Sequence, residues 1–204
     1  MPPLDAPLWL IGLMGLMGYL LGSIPAGVVM SRIFGLGDLR RIGSGNIGAT
    51  NVLRTGNRLA AGLTLALDAA KGAVAVGLAL WLTGGQAAAQ AAGLAAFLGH
   101  LFPVFLGLKG GKGVATFLGV TLALSFPVGL AACATWAAVA GYFRISSLAA
   151  LAAAVLAPLW AWAWGVPGVM LVLGVMAVAI LATHRENIRR LLAGSEPKIG
   201  EKKR

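Results

Sequence analysis

One cysteine, two histidines and six acidic residues among 204 leave little material for the commoner kinds of reactive site. Cys133 has no partner in its own chain, which excludes an intrachain disulfide framework and a cysteine-based metal cluster. His100, His184 and Asp68 are too sparse to specify a metal site, so no metal and no other cofactor is expected. The chain has no G-x-S-x-G elbow, no H-E-x-x-H and no histidine followed four residues on by aspartate. A serine-elbow enzyme, a zincin and the usual His-and-Asp acyl-transfer site are therefore unsupported. Charge is also scarce, at 11% of residues, and no soluble basic domain carries the net +10, which argues against a nucleic-acid partner.

What is abundant is apolar. The composition is 59% hydrophobic and the mean hydropathy is +0.88, far beyond an average soluble domain. The chain reads as an all-α polytopic membrane protein. Its thirty glycines would weaken a soluble helix core, but in lipid small residues let helices approach closely, and Gly18 with Gly22 has the G-x-x-x-G spacing. The run from Leu8 to Met30 lacks a basic leading segment and an A-x-A cleavage pattern, so it is expected to be a retained span with the amino terminus outside.

Seven transmembrane helices are predicted, over residues 7–31, 60–83, 86–106, 113–127, 128–143, 147–164 and 166–183. The stretch 113–143 is interrupted chiefly by Pro127 and Gly129, and one kinked segment is the alternative to two spans. With seven spans, fifteen of the sixteen Lys and Arg fall in loops 32–59, 107–112 and 144–146 and in the tail from 184, leaving only Lys71 inside a span. That asymmetry places those loops and the carboxy terminus in the cytoplasm. Residues 1–194 are expected to form a single transmembrane domain, followed by a basic cytoplasmic tail, 195–204, that is frayed and solvated. The short opposite turns, Thr83–Gln86 and Trp164–Val166, offer nothing to a ligand.

The polar stretches all belong to the basic face, so a single site could gather them. Residues 43–57 are dense in Gly, Ser, Thr and Asn, whose backbone amides are free to face an anion, and Arg54 adds a planar cationic fork. A polar turn between helices would use the same residue types. Lys109-Gly110-Gly111-Lys112-Gly113 precedes a helix expected near Val114, offering amides, a positive helix end and two ammonium groups. It is not a Walker A loop, because Gly113 stands where Ser or Thr is required. Otherwise it is a basic loop obeying topology.

At the end of the last span, helical spacing puts His184, Asn187 and Ile188 on one face, with Arg185 and Arg189 on another. The arginines there, including Arg190, suit lipid headgroups, while His184 has a pKa fit for proton work. Asp68 and Lys71 are neighbours on one helix face deep in the second span, where each isolated charge costs about 2.5 to 3.5 kcal/mol. They either pair to hold helices together or support a site from beneath. Gly99-His100-Leu101-Phe102-Pro103 and Gly22-Ser23-Ile24-Pro25 break their helices and could line a cavity. His100 there is either a packing residue or part of that support.

Three segments together, GSGNIGATNVLR (43–54), GHLFPVFLGLKGGKGVAT (99–116) and HRENIRRL (184–191), resemble the PlsY family of bacterial membrane acyltransferases. The segments GSIP (22–25) and D-x-x-K-G (68–72) fit the same order, and the likeness spans nearly the whole chain. The resemblance implies transfer of a fatty acyl group from acyl phosphate to the 1-hydroxyl of glycerol 3-phosphate, yielding lysophosphatidic acid and inorganic phosphate. It further implies a cytoplasmic-facing site in the bacterial inner membrane, with membrane lipid and the two substrates as partners and no obligatory protein partner. By resemblance, Ser44, Gly45, Asn46, Gly48, Thr50 and Asn51 form the acyl-phosphate pocket. Ser44, Arg54, Lys112, His184 and Asn187 serve glycerol 3-phosphate and catalysis, and Asp68, Lys71, His100, Gly110 and Gly111 support the site. The reading from a different class is a transporter of a phosphorylated small solute. It calls for polar residues continuing to the outer face, where only Thr and Gln occur.

Overall fold

The computed structural model describes residues 5–200, and among them it contains helices, turns and loops but no strand. The α-helices are α1 (Leu8–Gly22), α2 (Ala26–Ile33), α3 (Ala49–Leu53), α4 (Arg58–Thr83) and α5 (Gln86–Leu101). They continue with α6 (Val114–Leu124), α7 (Phe126–Phe143), α8 (Ser146–Ala163), α9 (Met170–Thr183) and α10 (Arg185–Leu192).

The helices pack through absent side chains. A Cβ on Gly18 would lie 2.2 Å from the carbonyl oxygen of Ala92, and one on Gly22 would lie 1.9 Å from that of Ala96. From the other side, a Cβ on Gly99 would sit 2.3 Å from the Tyr19 carbonyl oxygen, so α1 and α5 touch backbone to backbone. The G-x-x-x-G spacing is used for helix crossing, as expected. Gly119 against the Ala69 carbonyl and Gly72 against Thr116 join α6 to α4 in the same way. Lipid tails supply no hydrophobic drive between helices, so close van der Waals contact does the work. Alanines and a few larger side chains, among them Phe97, Phe117, Leu173 and Met176, fill what space remains.

The exterior is correspondingly apolar, with Leu13, Leu16, Leu20, Val175 and Val178 exposed. Trp9, Trp81, Trp162 and Trp164 are exposed where α1 begins and where α4 and α8 end, an arrangement suited to the boundary between lipid and water. This is the surface of a protein that sits in a bilayer.

Five helical stretches are long and apolar enough to cross: Leu8–Ile33, Arg58–Thr83, Gln86–Leu106, Phe126–Phe143 and Ser146–Ala163. A sixth forms if Pro167–Thr183 and Arg185–Leu192, bent by 65° at their junction, count together. The stretch 113–143 is two helices, not one kinked segment, because Ser125 leaves helical geometry and Gly129 packs onto Leu122. However, α6 has only 11 residues, about 17 Å of helix against roughly 30 Å of hydrocarbon. The first span, long enough as a whole, is interrupted where the sequence placed a break. Pro25 cannot continue the hydrogen-bond ladder, and the chain breaks at Ser23–Pro25 between α1 and α2.

The tail departs from expectation. Residues 195–200 are folded back rather than frayed: the Ile199 amide donates to the Arg144 carbonyl at 2.6 Å, and Ser147 donates to Glu196 at 2.7 Å. Residues 201–204 lie outside the described residues.

A candidate anion site at the basic end

The loop after the short 3-10 turn Leu39–Arg41 is shaped by Asn51, which is buried. Its Oδ1 accepts from the Ser44 amide at 3.0 Å, the Ser44 hydroxyl at 3.3 Å and Arg54 Nη1 at 3.4 Å. Its Nδ2 donates to the carbonyls of Leu39 at 2.9 Å and Asn46 at 2.7 Å. The amide is thus fully committed to closing the loop. Asn46 Oδ1 accepts from the Gly48 amide at 2.9 Å, and Gly43 and Gly45 turn the chain at positive φ. The Thr50 hydroxyl meets the Ser146 hydroxyl at 3.2 Å, tying α3 to the start of α8.

Across from this loop, Pro103 ends α5 and leaves carbonyls to be satisfied. The Gly110 amide donates to Leu101 O and the Gly111 amide to His100 O, both at 3.0 Å. Those two amides are consumed by the scaffold and are not open to an anion, contrary to the reading of the Gly-Gly pair as free donors. Any side chain on Gly110 would strike the His100 carbonyl, and one on Gly111 the His100 ring. Lys109 is exposed, whereas Lys112 turns inward and donates to Asn187 Oδ1.

Beneath lies a buried polar cluster. Lys71 Nζ stands 2.8 Å from Asp68 Oδ1, 3.0 Å from the Ile24 carbonyl exposed at the α1–α2 break, and 2.9 Å from His100 Nδ1. An ammonium has no lone pair, so His100 Nδ1 accepts. The Lys71–Asp68 contact is close enough for an ion pair but off the hydrogen-bond direction, leaving Asp68 Oδ1 without an aligned donor. His100 therefore joins α5 to the α4 charges. It supports the Gly110–Gly111 loop and does not stand in a cavity. No three His, Cys, Asp or Glu side chains gather among the described residues.

His184 occupies the bend between α9 and α10. Its Nδ1–H is assigned to the Ile180 carbonyl, 2.9 Å away, because that oxygen can only accept. Nε2 is left with its lone pair and makes no hydrogen bond among the described residues. Burial first, then the charge of Lys112, push the His184 pKa down to about 4. The expected faces of α10 hold: His184 and Asn187 are buried while Arg185 and Arg189 are exposed. Arg190 does not follow the other arginines to the headgroups. Its Nε is 2.6 Å from Glu196 Oε2.

Charges of both signs meet at this end. Burial lowers the Lys112 pKa, the nearby charges of Arg190 and Arg54 lower it further, and Glu196 opposes them. Burial alone would raise the Glu196 pKa, but hydrogen bonds from Ser147, Asn187 and Arg190 outweigh it and hold the carboxyl below its ordinary value. Both His184 and Glu196 bind protons less readily folded than unfolded. Their shared contribution to stability is therefore present above the ordinary pKa values and lost as pH falls through the lowered ones. Nitrogen chemical shifts of labelled His184 are expected to report a neutral ring at pH 6, with protonation centred near 4. A midpoint near the ordinary 6.5 would contradict this environment.

The structure brings Ser44, Arg54, Lys112, His184 and Asn187 to one end of the molecule, with the 44–51 loop alongside. Arg190, Ser146, Ser147 and Glu196 escaped the sequence reading. Arg190 was detectable, since it lies three residues after Asn187 and so shares its face. Nothing local marks Glu196, which reaches the site only because the chain reverses after Gly194.

Comparison with known proteins gives the chain a family. A profile described as glycerol-3-phosphate acyltransferase matches residues 12–194. A glycerol-3-phosphate acyltransferase of Jannaschia sp. (strain CCS1) is 62% identical over 98% of this chain and 98% of its own length. One from Cereibacter sphaeroides (strain ATCC 17025) is 59% identical over 99% of this chain and 96% of its own. Two crystal structures of PlsY, an integral membrane glycerol 3-phosphate acyltransferase, superpose closely. The glycerol 3-phosphate form has a TM-score of 0.87 at 40% identity, covering 93% of this chain and 96% of that one. The lysophosphatidic acid form has a TM-score of 0.84 at 38% identity, covering 93% and 95%. With sequence and fold in agreement over nearly its whole length, the chain belongs to the glycerol-3-phosphate acyltransferase family.

Proposed function

We propose that this protein transfers a fatty acyl group from acyl phosphate to the 1-hydroxyl of glycerol 3-phosphate, giving lysophosphatidic acid and inorganic phosphate at the start of phospholipid synthesis. The observation that carries the reading is the gathering of cations at one end: the charges of Arg54 and Arg190 both bear on Lys112, which donates to Asn187, with the Glu196 carboxylate beside them. Such a cluster is favourable when filled by phosphate. Relatives at about 60% identity bear the acyltransferase name, and the solved neighbours hold the acceptor and the product of this reaction. The solute-transporter reading has no such support and is set aside.

An acyl phosphate is already activated, so the protein need not make a nucleophile. Its task is to hold two repelling anions in contact and to stabilise charge on the carbonyl oxygen and the departing phosphate. Arg54 and Lys112 hold the acceptor's phosphate, while Ser44, His184 and Asn187 orient its glycerol hydroxyls. The acyl-phosphate headgroup lies against the loop Ser44, Gly45, Asn46, Gly48 and Thr50, whose shape Asn51 sets. Asp68, Lys71, His100, Gly110 and Gly111 carry the Lys112 loop from below.

The hydroxyl oxygen attacks the acyl carbon, the bond from that carbon to the bridging phosphate oxygen breaks, and phosphate leaves with the electron pair. The hydroxyl proton passes to a phosphate oxygen. With a pKa of about 4, His184 is a weaker base than a phosphate monoester near 6, so it serves as the acceptor that aims the hydroxyl.

In the membrane we assign seven helical passes, counting α6 as a short one, with the amino terminus outside and the carboxy terminus and active site at the cytoplasmic face of the bacterial inner membrane. The positive loops support this orientation, because Arg40 donates to the Lys109 carbonyl and Arg144 to that of Ile199 on the same end. The domain assigned to residues 1–194 works as one unit with residues 195–200 docked on it.

The test is purified protein in lipid supplied with acyl phosphate and glycerol 3-phosphate, without coenzyme A. Equal amounts of lysophosphatidic acid and phosphate are expected, and an Arg54→Ala variant should lose both. Glycerol 3-phosphate binding without turnover would refute the reading.

A further inference from the structure

The carboxy-terminal strap, residues 195–200, enters the site although the family match ends at residue 194. Gly194, at positive φ, ends α10 and reverses the chain, and the Ser195 amide returns to the Arg190 carbonyl at 2.8 Å. Further on, Ile199 and Arg144 exchange two hydrogen bonds, at 2.6 and 3.2 Å, which clamps the strap to the turn between α7 and α8. Glu196 is thereby pressed inward, its side chain only 6% exposed. Its Oε1 accepts from Ser147 at 2.7 Å and from Asn187 Nδ2 at 2.5 Å, and its Oε2 meets Arg190 Nε at 2.6 Å.

The consequence falls on Asn187. An amide has a donor end and an acceptor end that can be exchanged by a half-turn. Here Glu196 can only accept, so it fixes Nδ2 toward itself and Oδ1 toward Lys112. Lys112 can only donate and so favours the same sense of the amide, but without Glu196 Asn187 Nδ2 has no acceptor and the side chain is tethered at one end only, so the acceptor that Lys112 leans on is free to swing. We infer that Glu196 is a positioning residue for acyl transfer: through the strap it holds Asn187, and through Asn187 the Lys112 ammonium, in the orientation that receives glycerol 3-phosphate. This inference rests on the proposed function of the same site.

The opposite role is an internal anion that occupies the substrate's place. The two roles predict opposite signs, since a positioning residue lowers the KM for glycerol 3-phosphate and a competitor raises it.

Steady-state kinetics on Glu196→Ala, Glu196→Gln, Asn187→Ala and the double variant Glu196→Ala/Asn187→Ala separate the cases. Misplacing a contact group costs on the order of 100-fold, so Glu196→Ala is expected to lower kcat/KM for glycerol 3-phosphate by about 10- to 100-fold. Most of that change should lie in a raised KM. Glu196→Gln keeps an oxygen that accepts from Asn187 and is expected to recover a large part of the loss. In the Asn187→Ala background, removal of Glu196 should cost markedly less than in the native background, because its route to Lys112 through Asn187 is already cut and only its contacts to Arg190 and Ser147 are left to lose. A lowered KM in Glu196→Ala, or losses that multiply in the double variant, would overturn the inference while leaving the site assignment standing. Full activity in Asn187→Ala would overturn both.

Discussion

Replacing Lys112 with alanine is expected to lower kcat/KM for glycerol 3-phosphate by about 10³-fold, the upper end of what one electrostatic contact to a reacting group supplies. Lys112 is the cation most enclosed by the site, donating to Asn187 while Arg54 and Arg190 repel it. That repulsion makes the second half of the prediction. Thermal stability should change little, because the desolvation of Lys112 and its repulsion by two arginines offset its attraction to Glu196 and its hydrogen bond to Asn187. Lys112→Arg should recover little, since a planar fork does not fit where a compact ammonium meets a fixed amide. Steady-state kinetics with a melting curve on the same preparation checks both halves. An inactive variant that also melts early would point to lost structure instead of lost chemistry.

The largest expected effect on stability lies below the site, at Asp68. Asp68→Ala leaves Lys71 as a buried ammonium held only by the Ile24 carbonyl and His100 Nδ1. Removing one partner of a buried pair typically costs about 3 to 5 kcal/mol. For a chain of this size that is a fall in melting temperature of roughly 10 °C. Changing both residues, as in Asp68→Leu/Lys71→Met, should restore most of the loss, because a well-packed apolar pair escapes the desolvation cost that the ion pair bears. If the double variant melts as early as Asp68→Ala, the cluster acts through more than its own charges, and the contact between His100 and the Gly110–Gly111 loop is the place to look.

Much of the architecture was legible because bilayers impose simple rules. Long apolar runs had to be helices, since no other open backbone satisfies its own hydrogen bonds in lipid. The glycine spacing at Gly18 and Gly22 announced a close crossing, and the Asp68–Lys71 spacing announced a pair, because both are local consequences of helix geometry. Helix lengths were less legible than helix breaks. Pro25 interrupted the first run where the sequence placed a break, but α6 came out at 11 residues where a longer span was expected. Apolar content measures suitability for lipid and says little about where a helix stops.

Within the site, residue types were readable and their duties were not. Asn51 and the Gly110 and Gly111 amides have the right chemistry for an anion, yet the folded chain spends them on Leu39, Asn46, Leu101 and His100. By itself the sequence determined the membrane class, the basic face that gathers the polar loops, and the family, since each follows from composition, charge placement or short contiguous motifs. Only the tertiary structure decided which hydrogen-bonding groups remain free. It also turned Arg190 inward and set Glu196 against Asn187. Those outcomes depend on where distant carbonyls and carboxylates come to lie, and sequence spacing carries no record of that once the chain has turned back on itself.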